Sequence, residues 1–148
     1  MFTKTTDELN HEIKVATDAM DFIKNNRGEI LEQSLAECLT ALLEQKKLTR
    51  ADVVRGSILD RAYVYQIFSG EKTPSRDKLI AIAFGLKLSA DEAQRMLKLS
   101  GNRELYPRDE RDTLILFTLQ QGGDIFAANN LLHEHEYESL GVVKKEDR

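Results

Sequence analysis

The residue types in this chain that could do chemistry are three histidines, a single cysteine and a cluster of basic side chains. His133 and His135 stand two apart, so on a helix they point roughly 200° away from each other and cannot share a metal as an i, i+4 pair does. Cys38 has no second cysteine to form a disulfide or a cysteine-based zinc site, and no neighbouring histidine to activate it, so it reads as a small buried or half-buried side chain. No nucleophile stands beside a base, and no glycine-rich phosphate loop is present. The expectation is therefore a protein that is not an enzyme and carries no cofactor or metal. The basic residues are different. Between Lys46 and Lys78 the chain holds eight of them (Lys46, Lys47, Arg50, Arg55, Arg61, Lys72, Arg76, Lys78) against four acids (Asp52, Asp60, Glu71, Asp77). The whole chain has net charge −4, so this +4 island sits in a remainder of −8. A localised positive face in an acidic molecule is what polyanion binding requires.

Those side chains need a folded scaffold, and the composition supports one. Of the 148 residues 41% are hydrophobic and 31% charged, with two prolines and eight glycines, which is too apolar for a disordered chain. The length suits about one domain with appendages. The longest apolar run, Leu79 to Leu86, is far short of the ~20 residues that cross a bilayer, and the first ten residues lack the apolar stretch of a signal peptide. A soluble cytoplasmic protein with no membrane partner is expected.

Almost every segment shows helical spacing, and no internal repeat or low-complexity tract is visible. Leu9, Ile13, Ala16, Met20 and Ile23 form a narrow apolar stripe, predicting one N-terminal helix stopped by Asn25, Asn26 and Gly28. Its acid-rich polar faces suit packing or a partner rather than a DNA-binding arm. Leu31, Leu35, Leu39, Leu42 and Leu43 predict the next helix, ending near Lys46 and Lys47. Thr49 and Asp60 are N-caps for two short helices running to about Arg55 and Ser69, joined by a tight turn. Gly70 fits a left-handed helix end, and Pro74 and Ser75 restart the chain into a helix carrying Leu79, Ile82, Ala83 and Leu86. Ser89 and Glu92 form a capping box for a helix with Ala93, Met96 and Leu97, closed by Gly101. Beyond Tyr106 and Pro107, a helix through Leu114, Ile115, Phe117 and Thr118 stops at Gly122 and Gly123. Asp124 caps another with Phe126, Leu131 and Leu132, and the tail from Gly141 is expected to fray. The prediction is an all-α chain in three parts: an N-terminal helical extension (1–30), five helices (31–101), and a C-terminal helical hairpin with its tail (102–148).

The segment LTRADVVRGSILDRAYVYQIFSGEKTPS, with LIAIAFGLKLS behind it, resembles the helix-turn-helix domain of the Cro and phage-repressor type, the XRE family. The resemblance covers about residues 34–100. Val53 and Val54 fall where the first motif helix presents its core pair, Leu59 where the turn tucks inward, and Val64 and Ile67 where the second helix returns to the core. Gly70, Pro74, Leu79, Ile82, Ala83 and Leu86 keep that register. The resemblance implies a five-helix repressor-like domain that binds double-stranded DNA as a transcriptional regulator, at the nucleoid of a bacterium or in a phage system, with a recognition helix at about residues 60–69. A helix about 10 Å wide fits the major groove, and its exposed side reaches base edges. Arg61, Ala62, Tyr65 and Gln66 are the implied base readers: Arg61 suits guanine, Gln66 adenine, and Ala62 a thymine methyl. Arg50, Tyr63, Ser69, Lys72 and Lys78 are the implied phosphate contacts. Tyr63 and Tyr65 can each donate a hydroxyl to phosphate or pack an aromatic edge on a neighbouring helix.

Three departures from the family pattern stand out. Ile58 occupies the turn position commonly held by glycine, and a β-branched residue resists positive φ, so the bend is expected at Gly56 instead. Val54 replaces a customary alanine, and Phe68 a customary acid, which predicts a wider and more apolar packing. The rival reading is a protein-interaction module that has kept the scaffold and lost DNA binding, docking a partner through the N-terminal helix or the C-terminal hairpin. A homodimer is expected, through the hairpin of about residues 107–135 or the N-terminal stripe. Phe117, Phe126, Leu131 and Leu132 give that hairpin more apolar area than it can bury within itself, and the alternative is that it packs wholly inside one subunit.

Overall fold

The computed structural model describes residues 4–16, 18–25 and 34–141. Among them the chain is all-helical, with nine α-helices and no strand. It divides into two compact units, residues 1–33 and 34–148.

The first unit holds α1 (Thr6–Val15) and α2 (Ala19–Asn25), where the apolar stripe had predicted a single helix. Ala16 leaves helical geometry at φ −73°, ψ 137°. Asp18 then offers its carboxylate to the Met20 N–H at 3.0 Å. A short acidic side chain that satisfies a nearby backbone donor offers the chain an alternative to continuing the helix, which is why the stripe overran the break. Thr5 and Glu8 form a capping box at the start of α1. Ile13 and Met20 of the stripe are exposed, and neither helix has a buried residue. The predicted stop at Asn26 and Gly28, and Leu31 of the next helix, lie outside the described residues.

The second unit runs α3 (Leu35–Gln45), α4 (Arg50–Ser57), α5 (Arg61–Phe68), α6 (Arg76–Gly85), α7 (Ala90–Leu99), α8 (Glu110–Gln120) and α9 (Ile125–Glu134). Each begins at a residue whose side chain accepts a backbone N–H of the first turn: Ser34, Thr49, Asp60, Ser75, Ser89, Asp109 and Asp124. These caps satisfy donors that the helix itself cannot. Helix α6 is buried from Leu79 to Gly85 and forms the centre of the unit. Its crossing with α4 is made at backbone contact, since a Cβ on Gly85 would lie 2.8 Å from the Val53 carbonyl oxygen and one on Gly56 2.9 Å from the Gly85 Cα. Gly56 is thus a helical residue at a helix crossing, and the bend predicted there is made by Ile58 at φ 50°, ψ 29°. Phe68, in place of an acid, is buried in the core, with Val54 packed partly against it.

Contrary to the expectation of no internal repeat, residues 76–105 and 111–140 are two copies of one hairpin. Arg76-Asp77-x-Leu79-Ile80 recurs as Arg111-Asp112-x-Leu114-Ile115, 35 residues on. The copies are joined reciprocally. Arg76 forks onto Asp112 at 2.9 and 3.2 Å, and Arg111 forks onto Asp77 at 2.9 and 3.0 Å. Each arginine also holds the end of its own copy, Arg76 through the Arg103 and Glu104 carbonyls and Arg111 through the Glu138 carbonyl. In each copy a side-chain amide clamps both backbone groups of a buried leucine: Gln94 holds Leu105 at 2.9 and 2.7 Å, and Asn129 holds Leu140 at 3.0 and 2.7 Å. Ile115, Leu119, Ile125, Ala128, Leu132 and Leu140 belong to the same buried cluster as Val53, Leu79 and Leu97, so the second hairpin is part of the core of this unit. Of its four apolar residues singled out from sequence, Leu132 is fully buried and Leu131 half-buried, while Phe117 and Phe126 are exposed. Gly141, expected to fray with the tail, is packed against the α4–α5 turn.

Candidate nucleic-acid interface

The site is built on α4 and α5 and the turn between them. Ser57 Oγ accepts the Leu59 N–H at 3.3 Å, Leu59 is buried, and Asp60 caps α5 by accepting the Tyr63 N–H at 3.4 Å. Three constraints thus fall within residues 57–60, and they fix where α5 leaves the turn. Val64, Ile67 and Phe68 anchor its inner side. At its C-terminal end the Gln66 carbonyl accepts the Ser69 hydroxyl at 3.0 Å and the Glu71 and Lys72 N–H groups at 2.9 and 3.2 Å, which folds the following loop back onto the helix.

At about 100° per residue, the face of α5 opposite this anchor is centred on Ala62, Gln66 and Ser69. Ala62 and Ser69 are exposed and Gln66 half-buried. Tyr63 and Tyr65 fall on opposite flanks of that strip, about 160° apart by the same geometry. Each flank gathers cations around its ring. On one side Arg50 and Arg61 lie 5.8 and 5.9 Å from the centre of the Tyr65 ring, and Arg61 Nη1 reaches the Tyr65 hydroxyl at 3.5 Å. On the other, Lys78 and Lys72 lie 4.7 and 5.9 Å from the centre of the Tyr63 ring. A cation over an aromatic face is held by the ring quadrupole while its N–H groups remain available. Burial pushes the Tyr63 phenol up, so it stays a neutral hydroxyl. All nine predicted DNA contacts therefore lie on or beside one helix face, but in a different grouping. Arg61 sits on a flank with Arg50, whereas Ser69 lies in the central strip with its hydroxyl given to the Gln66 carbonyl.

The charge island is smaller than its sequence count. Lys46 pairs with Glu92 at 2.7 Å, Arg55 pairs with Asp52, and Arg76 is spent on Asp112, which is buried. That leaves Lys47, Arg50, Arg61, Lys72 and Lys78 with no acidic partner among the described residues, and four of these five are the cations of the two tyrosine clusters. Glu71, counted in the sequence only as one of the island's four acids, stands at the site itself. It lines a shallow depression of about 390 Å³ with Arg50, Tyr65, Gln66 and Ser69, and so sets one negative charge at the edge of the face.

Elsewhere, burial pushes the Cys38 thiol up, away from the reactive thiolate. His135 lies 3.4 Å from Glu110. Among the described residues no three metal-ligating side chains gather, and no helix is long and apolar enough to cross a membrane. Comparison with family models, curated proteins and solved structures gives no match.

Proposed function

We propose that α3–α7 form a helix-turn-helix domain of the XRE type and that the protein is a sequence-specific, duplex DNA-binding transcriptional regulator with α5 as its recognition helix. One observation carries the reading: an uncharged strip of Ala62, Gln66 and Ser69 is bordered on both sides by a tyrosine holding two cations. The major groove is about 12 Å wide, with base edges on its floor and a phosphate row along each wall. A helix laid into it needs neutral hydrogen-bonding groups at its centre and positive charge on both flanks. In this docking Gln66 reads adenine, Ala62 meets a thymine methyl, and Arg61 reaches guanine or phosphate from its flank. Arg50, Lys72, Lys78 and the Tyr63 hydroxyl grip the backbone. The protein would work at the nucleoid of a bacterial cell, with no catalytic step of its own.

One such helix spans too few base pairs to single out a site in a genome, so the regulator acts as a homodimer on two half-sites about one helical turn apart. Selection of bound sequences from a random duplex library tests the whole reading. The expected result is a two-half-site motif whose affinity falls steeply with salt, because phosphate contacts release counterions. No enrichment, with a flat salt response, would instead favour a protein-interaction module, for which exposed Phe117 and Phe126 on the second hairpin are the available surface.

A further inference from the structure

The α4–α5 turn contains a residue in the wrong conformation for its type. Ile58 is β-branched and sits at φ 50°, in the left-handed region where its Cβ crowds the backbone. Such strain persists only where the surroundings over-determine it. Ser57 and Leu59 close the turn from within, but a second contact comes from the far end of the chain. Beyond α9 the backbone returns to the motif, and Gly141, at φ 79°, lies flat on the turn. A Cβ there would fall 2.2 Å from the Ser57 carbonyl oxygen and 2.5 Å from Ile58 Cγ1. Leu140, beside it, is fully buried, and its N–H and carbonyl are both taken by the Asn129 amide. Arg111 holds the same segment at the Glu138 carbonyl while forking onto Asp77 in α6.

The first hairpin has the same strap, Gln94 on Leu105, but it leads only into the next helix. In the second copy the strap ends on the turn that aims α5. We propose that the Asn129-held strap, Leu140–Gly141, sets the direction of the recognition helix by holding Ile58 in its left-handed conformation. Asn129 and Gly141 are then positioning residues for sequence discrimination, although neither lies on the DNA-facing strip. The proposal rests on the DNA-binding reading for its functional consequence, whereas the mechanical coupling can be observed without DNA.

The experiment uses the full chain and the variants Asn129→Ala, Asn129→Gln, Gly141→Ala and the double variant Asn129→Ala/Ile58→Gly. Without DNA, amide hydrogen exchange at Ile58, Leu59 and Asp60 should quicken at least about tenfold in Asn129→Ala and Gly141→Ala, with Ile80 and Ile82 in α6 unchanged. With DNA, the ratio of affinities for the selected duplex and a scrambled one should fall by about tenfold in the same two variants, while binding to the scrambled duplex stays at the wild-type level. Glycine adopts positive φ without strain, so the double variant should recover the ratio. Asn129→Gln keeps the amide, as in the first hairpin, and should recover part of it. Gly141→Ala leaves the Asn129 clamp intact and places its methyl against the Ser57 carbonyl and Ile58, with a lesser contact to Ile125 Cδ1 at 3.1 Å, so it carries the test should Asn129→Ala fold poorly. Unchanged exchange at the turn in the folded variants would overturn the proposal, as would a loss of discrimination that Ile58→Gly fails to rescue. A wild-type protein that binds no duplex would sink the DNA reading alone, leaving the exchange result to decide the strap.

Discussion

At the residue scale, the proposed DNA docking turns on two tyrosines that are two apart on one helix. Their separation sends Tyr63 and Tyr65 to opposite flanks of α5, and the cations follow them. The division of labour this implies is measurable. Gln66→Ala should cost ~1–3 kcal/mol at one base pair and relax the preference there. Lys72→Ala should weaken all sequences about equally and reduce the salt slope by about one. Electrophoretic or fluorescence titration of the selected duplex and its single-base variants, at several salt concentrations, checks both; loss confined to one base on removing Lys72 would reverse the assignment. The residue types were legible in the sequence, because Arg61, Gln66 and the caps Thr49 and Asp60 announce themselves by position. Their partners were not. That Lys78 lies over Tyr63, or that Arg76 is withdrawn from the surface by Asp112, depends on segments 15 and 36 residues apart meeting in space, which a linear charge count cannot register.

At the element scale, α4 and α6 touch through their backbones at Gly56 and Gly85, and α3 is tied to α7 by one ion pair. Gly85→Ala adds a methyl where the Val53 carbonyl already stands, so it should destabilise the unit by ~1–3 kcal/mol, read as a lower urea midpoint. Helical spacing located both helices, yet it assigned Gly56 to the turn, since glycine in a sequence signals flexibility and close approach alike. Only the position of Gly85 opposite it decides between them. The ion pair gives a pH dependence. Burial opposes the Glu92 carboxylate, but the Lys46 ammonium and the Ser89 N–H outweigh it and hold the carboxyl below the ordinary glutamate range. A carboxyl depressed on folding contributes stability above its unfolded value of about 4.3, and that contribution is lost as pH falls through the folded value. Lys46→Met should therefore cost ~0.5–1 kcal/mol near neutrality, and the difference from wild type should shrink as the medium is acidified below pH 4.3. Urea midpoints of the two proteins at neutral and acidic pH provide the check; a constant difference would mean that the charge on Glu92 contributes nothing to what Lys46 does.

At the scale of the whole molecule, the second hairpin both completes the core and leaves an apolar face uncovered. The repeat shows why. Ile82 of the first copy is buried in the core, and its counterpart 35 residues on is Phe117, which is 53% exposed. Met96 is likewise buried where its counterpart Leu131 is half-buried. The sequence contained this repeat in Arg-Asp-x-Leu-Ile, but different helix stops, Lys87 in one copy and Gly122 in the other, disguise it. This bears on the proposed reading of paired half-sites in two ways. A chain ended at Gly101 loses Ile115, Ile125, Leu132 and Leu140 from the shared core and should fail to fold cooperatively in a circular dichroism melt; a cooperative melt would show that the five-helix part stands without the second hairpin. Dimerisation is instead tested by point changes on the uncovered face. Phe117→Ser with Phe126→Ser removes two aromatic side chains that are more than half exposed, so the fold should persist. An isologous interface counts each change twice, once in each subunit. The double variant should consequently sediment as a monomer at concentrations where the parent is dimeric, and lose affinity for the two-half-site duplex far more than for a single half-site. A parent protein that is already monomeric at tens of micromolar, alone and on DNA, would exclude the dimer; a variant that remains dimeric would move the interface elsewhere, with the exposed Ile13 and Met20 of the N-terminal unit as the surface to change next.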